Sequence, residues 1–144
     1  MAALPLPTTT REWSVPDAVR VVVVDDDPLF REALVALLST TDGIVVVGEA
    51  GDGESAVALT EELSPDLVVM DVEMPRLGGL DATGRILDHD PAIAVVVVSG
   101  TSDTAAKALQ AGAVAYMRKG SDLAGLAPLL LNLARTRLPL DPPT

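Results

Sequence analysis

Five short apolar runs recur along the chain, each followed by a segment whose apolar residues fall at helical spacing. The runs occupy residues 20–25, 44–49, 67–70, 93–99 and 114–117. Most are continuous rather than alternating, as expected of strands covered on both faces. Between them, residues 28–39 carry Phe30, Ala33, Leu34, Leu37 and Leu38 on one stripe, with Pro28 suited to a first helical turn. Residues 54–63 offer Ala56, Val57, Leu59 and Leu63. Two shorter helices are predicted over 80–88 and 104–111, the second closed by Gly112. The last helix is predicted over 122–137, capped by Ser121 or Asp122, with Arg135 and Arg137 in its last turn. Pro128 inside that pattern either kinks the helix or marks its true start after a separate turn over 121–127.

Strand and helix repeated five times predict an α/β fold, a flavodoxin-like (βα)5 doubly wound parallel sheet with right-handed crossovers. The expected strand order is 2-1-3-4-5, whose switch point lies between strands 1 and 3, where ligands bind beyond the carboxyl ends. Residues 19–137 make this domain. Residues 1–18 contain Pro5, Pro7, Pro16 and three consecutive threonines, and read as a disordered leader, with Trp13 as an alternative anchor onto the domain. Residues 138–144, with Pro139, Pro142 and Pro143, read as a tail or the start of a linker.

Composition narrows the function classes. The 144 residues suffice for one sizeable core, and with 49% hydrophobic but only 2% aromatic residues it must be built from Val, Leu, Ile and Ala. A net charge of −11 repels a phosphate backbone, so direct contact with nucleic acid is not expected. Cysteine is absent, which excludes disulfides, thiolate metal sites and thiol nucleophiles and fits a cytoplasmic location. No apolar run approaches the roughly 18–20 residues that span a bilayer. The leader also lacks the basic start and apolar stretch of a signal peptide, so no membrane partner is expected.

The candidate chemistry sits at strand ends. Asp25-Asp26-Asp27 closes the first apolar run and Asp71 the third. In the expected topology both ends share one edge, so the acids converge. Clustered carboxylates raise each other's pKa unless a cation sits among them. Three around a hard divalent cation make a Mg²⁺ site, and such sites handle phosphate. Ser99 ends the fourth run and Lys119 follows the fifth by two residues. A hydroxyl and an ammonium there can grip phosphoryl oxygens. Each group alone has a plainer reading, as helix cap, turn former or solvated lysine. One polar group at the end of each of four strands is hard to explain as coincidence. The lone His89, in the polar turn Asp88-His89-Asp90-Pro91, lacks the exposed helical face that phosphotransfer needs and reads as solvated.

These residues match a family pattern. Val22-Val23-Val24-Asp25-Asp26-Asp27-Pro28-Leu29 resembles the first strand and acidic pair of bacterial two-component response regulator receiver domains. Asp66-Leu67-Val68-Val69-Met70-Asp71-Val72-Glu73-Met74-Pro75-Arg76-Leu77-Gly78-Gly79-Leu80 resembles their phosphoacceptor segment. Val95 to Ser99 with Gly100, and Ala111-Gly112-Ala113-Val114-Ala115-Tyr116-Met117-Arg118-Lys119, are similar to the fourth and fifth strands. Val45-Val46-Val47-Gly48-Glu49-Ala50-Gly51-Asp52-Gly53 and Leu138-Pro139-Leu140-Asp141-Pro142 further resemble the NarL/FixJ subfamily.

The resemblance implies that Asp71 accepts a phosphoryl group from a sensor histidine kinase. It implies Mg²⁺ ligation by Asp26, Asp71 and the main-chain carbonyl of Glu73, with Asp25 acting through water. Ser99 and Lys119 would contact the phosphoryl oxygens, and Tyr116 would be the aromatic switch that follows Ser99 inward. The chain would thus be a phosphorylation-dependent signalling switch and not a multiple-turnover enzyme. Several positions depart from the family pattern. Ser99 stands where Thr is commoner, Gly100 where Ala is usual, and Asp27 adds a third acid expected to face solvent. Gly78-Gly79 replaces a frequent Asp-Gly pair, a change in turn chemistry.

The last predicted helix carries more apolar residues than one stripe absorbs, from Leu123 to Ala134, which points to a homodimer, with the first helix contributing. Nothing after Arg137 can build a DNA-binding helix-turn-helix, so the expectation is a receiver whose transcriptional output domain lies elsewhere. A stand-alone regulator acting by phosphotransfer or protein binding is the alternative. A haloacid-dehalogenase-like Mg²⁺ phosphatase is the remote one, suggested by Asp71-Val72-Glu73 but lacking a visible cap insertion.

Overall fold

A computed structural model describes residues 18–74, 76–101, 103–120 and 123–137. Five strands run parallel: β1 (Val19–Val24), β2 (Ile44–Ala50), β3 (Leu67–Asp71), β4 (Ala94–Ser99) and β5 (Ala115–Arg118). Their order is β2-β1-β3-β4-β5, as expected from the strand–helix repetition. The connecting helices are α1 (Pro28–Ser39), α2 (Gly53–Leu63), α3 (Gly79–His89), α4 (Ala105–Gln110) and α5 (Leu126–Arg137).

Alternate strand residues feed opposite faces, which splits the core in two. Val21, Val23, Val69 and Val96 pack with Leu34 and Leu38 of α1 and Leu126 and Leu130 of α5. Val22, Val24, Val68, Met70 and Val97 pack with Ala56 of α2, Ala82 and Ile86 of α3, and Ala108 of α4. All of β3 and β4 is buried, which is why those runs are continuously apolar. β2 and β5 are the edges and only partly covered.

Helix boundaries follow local chemistry. Asp27 caps α1, its carboxylate accepting from the amides of Leu29 (3.0 Å) and Phe30 (3.4 Å), with Pro28 opening the first turn. On α1, Leu34 and Leu38 are buried, whereas Ala33 and Leu37 of the predicted stripe are exposed.

The last helix needs a correction. A 3₁₀ turn over Leu123–Gly125 precedes α5, which starts at Leu126 rather than at residue 122. Pro128 is the third residue of α5, where its missing N–H leaves no intrahelical bond broken. The apolar surplus of this helix is largely taken up by the core. Leu126 and Leu130 are fully buried, and Leu123, Leu129, Leu131, Leu133 and Ala134 pack half-buried around the same cluster. The leader with Trp13, the caps Ser121 and Asp122 and the tail lie outside the described residues. Among the described residues no helix is long and apolar enough to cross a membrane.

Candidate functional site

The β1–β3 register builds the site. Val24 is paired with Met70, so the residues that follow, Asp25 just past β1 and Asp71 at the end of β3, lie side by side at the carboxyl edge of the sheet. Carboxylate oxygens of Asp25, Asp26 and Asp71 lie within 4.8 Å of one another. Asp25 and Asp71 are buried and Asp26 is exposed.

Asp25 is pinned from three sides. Its amide donates to the Ala50 carbonyl (3.0 Å), and its Oδ1 accepts from the Asp27 amide (2.9 Å). The Arg31 guanidinium donates to its main-chain carbonyl (2.6 Å) and reaches Glu49 Oε1 at 3.3 Å. Lys119 supplies the cation that the acid cluster requires. Its Nζ lies 3.0 Å from Asp25 Oδ2 and 3.3 Å from Asp71 Oδ1, and 4.4 Å from the centroid of the Phe30 ring. The Lys119 amide donates to the Ser99 carbonyl (2.8 Å), which ties the end of β5 to the end of β4. Ser99 is buried, and its Oγ accepts from the Thr101 amide (3.2 Å).

Electrostatics follows from this packing. Burial pushes the Asp71 carboxyl up, the neighbouring Asp25 charge adds to it, and Lys119 only partly offsets both, giving about 7. Burial pulls the Lys119 ammonium down, yet its bonds to Asp25 and Asp71 outweigh that and hold it above the ordinary lysine value.

The segment after Asp71 is held by close backbone approach. Gly79, opening α3, donates its amide to the Val72 carbonyl (2.9 Å). A Cβ on Gly79 would fall 1.9 Å from the Asp71 carbonyl oxygen, which no side chain can satisfy. A Cβ on Gly53 would meet the Leu77 carbonyl at 2.1 Å, so α2 presses on the same loop. Gly78, by contrast, has ordinary room around a Cβ, and α3 lacks a side-chain cap there, as a change of turn chemistry implies.

The sequence-derived residues therefore divide. Asp25, Asp26, Asp71 and Lys119 come together. Ser99 closes the neighbouring strand. Glu73 is exposed in the loop two residues past Asp71. Tyr116 packs half-buried against the second core cluster, its hydroxyl buried with no hydrogen-bond partner among the described residues. Asp27 is exposed as expected, and its carboxylate works as the α1 cap. Sequence reasoning missed Phe30 and Arg31 as neighbours of the site. Phe30 reads as a core residue, and only a Ser/Thr/Asp-Pro capping signal before it fixes where α1 starts.

Residues 21–130 match the response regulator receiver domain model. Response regulator GacA of Pseudomonas viridiflava is 45% identical over 108 residues, covering 74% of this chain and 50% of that protein. The transcriptional regulatory protein PdtaR of Mycobacterium tuberculosis is 41% identical over 133 residues, covering 91% of this chain and 63% of its own length. The signal receiver domain of the putative response regulator NarL from Mycobacterium tuberculosis superposes with a TM-score of 0.79 at 34% identity, covering 83% of this chain and 98% of that one. The chain spans about half the length of the GacA relatives it matches.

Proposed function

The chain belongs to the response regulator receiver family, and from that premise we propose that Asp71 accepts a phosphoryl group from a sensor histidine kinase and so switches the domain's surface. Lys119 bridging Asp25 and Asp71 beside a third carboxylate is the observation that carries this reading.

Receiver domains bind Mg²⁺ at an acidic cluster, and the donor set here fits one. Three carboxylates within 4.8 Å are the hard oxygen ligands this cation takes. We assign Asp26 and Asp71 as direct ligands, with the Glu73 main-chain carbonyl beside them and Asp25 acting through water. When bound, the cation neutralises charge on the transferring phosphoryl group.

An Asp71 carboxylate oxygen attacks phosphorus in line, forming the acyl phosphate bond as the bond to the donor breaks. The donor's histidine leaves with the electron pair of the broken P–N bond. Lys119 and the Ser99 hydroxyl then hold the phosphoryl oxygens. The phosphoryl group carries roughly −1.5 to −2 where the carboxylate carried −1, and its oxygens draw Ser99 toward them while Tyr116 follows, biasing a two-state surface. The acyl phosphate hydrolyses unaided, which resets the switch.

Transcription control is the output we assign, because PdtaR is named a transcriptional regulatory protein and GacA a response regulator. A stand-alone regulator acting by phosphotransfer or protein binding is the competing output, and the reading frame beyond Thr144 decides between them.

Acetyl phosphate with Mg²⁺, followed by intact mass measurement, tests the core of the proposal. One phosphoryl group per chain is expected on the wild type and none on Asp71→Asn. Undiminished labelling of that variant overturns the assignment. Turnover of many equivalents of a small phosphate ester overturns the stoichiometric switch in favour of multiple-turnover hydrolysis.

A further inference from the structure

We infer that Phe30 is a positioning residue whose ring face seats the Lys119 ammonium over the acid cluster; the inference rests on the phosphoacceptor reading above. The chain contains a single phenylalanine, and that ring lies 4.4 Å from Lys119 Nζ. A cation over an aromatic face is attracted by the ring's quadrupole. The plain alternative is packing alone, since Phe30 also borders the α1/α5 core cluster. Leucine would fill that role equally; only an aromatic face attracts the ammonium.

The geometry shows why a seat is needed. Two of the three ammonium donors point at Asp25 Oδ2 and Asp71 Oδ1. The lysine stem is long and flexible, and its side chain keeps 25% of its exposure. When a phosphoryl group joins Asp71, one of the two acceptors changes identity and position. The ring contact is not directional, so it persists while the acceptors exchange and keeps the ammonium beside the reacting atoms. The Phe30 ring is held by packing against the α1/α5 core cluster, and its backbone by the amide that donates to the Asp27 cap (3.4 Å) in the first turn of α1.

The test compares wild type, Phe30→Leu, Phe30→Tyr, Lys119→Gln and the Phe30→Leu/Lys119→Gln double variant. Labelling by acetyl phosphate at saturating Mg²⁺ is expected to slow about threefold to thirtyfold in Phe30→Leu, the span of a cation–π contact, and to stay within about twofold of wild type in Phe30→Tyr. Phe30→Leu should add nothing once Lys119 is Gln. Independently of phosphorylation, the Lys119 ε-methylene protons should show an upfield ring-current shift in wild type and Phe30→Tyr and none in Phe30→Leu. Thermal melting checks that each variant folds, with Phe30→Met replacing Phe30→Leu if that one does not. Wild-type labelling rates in Phe30→Leu, equal losses in the Leu and Tyr variants, a loss that persists in the Lys119→Gln background, or an unshifted methylene in wild type each overturn the inference. An unlabelled wild type with the methylene shift intact overturns the phosphoacceptor reading instead.

Discussion

A carboxyl that titrates near 7 is half neutral under ordinary conditions, so what ionises Asp71 decides when it can ligate or attack. Its folded pKa is raised from 3.8 to about 7 by burial and by Asp25. Between those values the folded state keeps a proton that the unfolded chain has released. Stability therefore falls as pH rises through that window, by an amount on the order of a few kcal/mol. The metal-free protein should thus unfold at lower urea at about pH 8 than at about pH 5, and Asp71→Asn should flatten that slope. Mg²⁺ binds the ionised form, so its affinity should climb about tenfold per pH unit up to about 7 and then level off, releasing a proton measurable by calorimetry. A Mg²⁺ affinity flat across that range would show that Asp71 is already ionised in the metal-free fold. The acids, Ser99 and Lys119 were readable from the sequence because each ends or closely follows an apolar run. Phe30 and Arg31 were not, because their partners lie on other elements. Lys119 is 89 positions away from Phe30, and no periodicity reports such a contact.

At the scale of elements, two glycines of α3 with opposite surroundings make a matched pair. Gly79 sits where a Cβ would collide with the Asp71 carbonyl, whereas a Cβ on Gly84 would meet nothing within 4 Å. Gly84→Ala should stabilise the protein by about 0.5–1 kcal/mol, since alanine restricts the unfolded chain and favours the helix. Gly79→Ala should destabilise it by more than about 2 kcal/mol and slow labelling at Asp71, because the backbone carrying the acceptor must shift. Urea denaturation of both variants checks the signs, and equal effects would mean that the α3 start is not what holds Asp71. The strands and their order were legible because continuous Val and Ile runs leave few alternatives for a buried parallel sheet. The start of α5 was less so. Helical spacing continues through residues 122–125, and the choice between a kink and a late start turns on local geometry at Pro128 that the apolar pattern leaves open.

At the scale of the whole molecule, of the two helices expected from the sequence to build a homodimer, α1 offers the more exposed apolar face. The surplus leucines of α5 are packed around the core, while Leu29 (76% exposed), Ala33 and Leu37 (37% exposed) form a stripe at four-residue spacing along α1. A stripe of that spacing is the face one helix offers another. Opposing it is the net charge of −11, which drives two copies apart at low ionic strength and is screened within about 3 Å at 1 M salt. Association should therefore strengthen with salt, the reverse of an ion-paired interface. Light scattering is expected to give a monomer at low salt. With about 0.5 M NaCl, Mg²⁺ and beryllofluoride as a phosphoryl mimic, it should move toward twice that mass. Leu29→Glu combined with Leu37→Glu should return the monomer while leaving Asp71 labelling intact. A monomer mass under every condition would remove the second copy as a partner, and leave α1's stripe to a protein of different sequence.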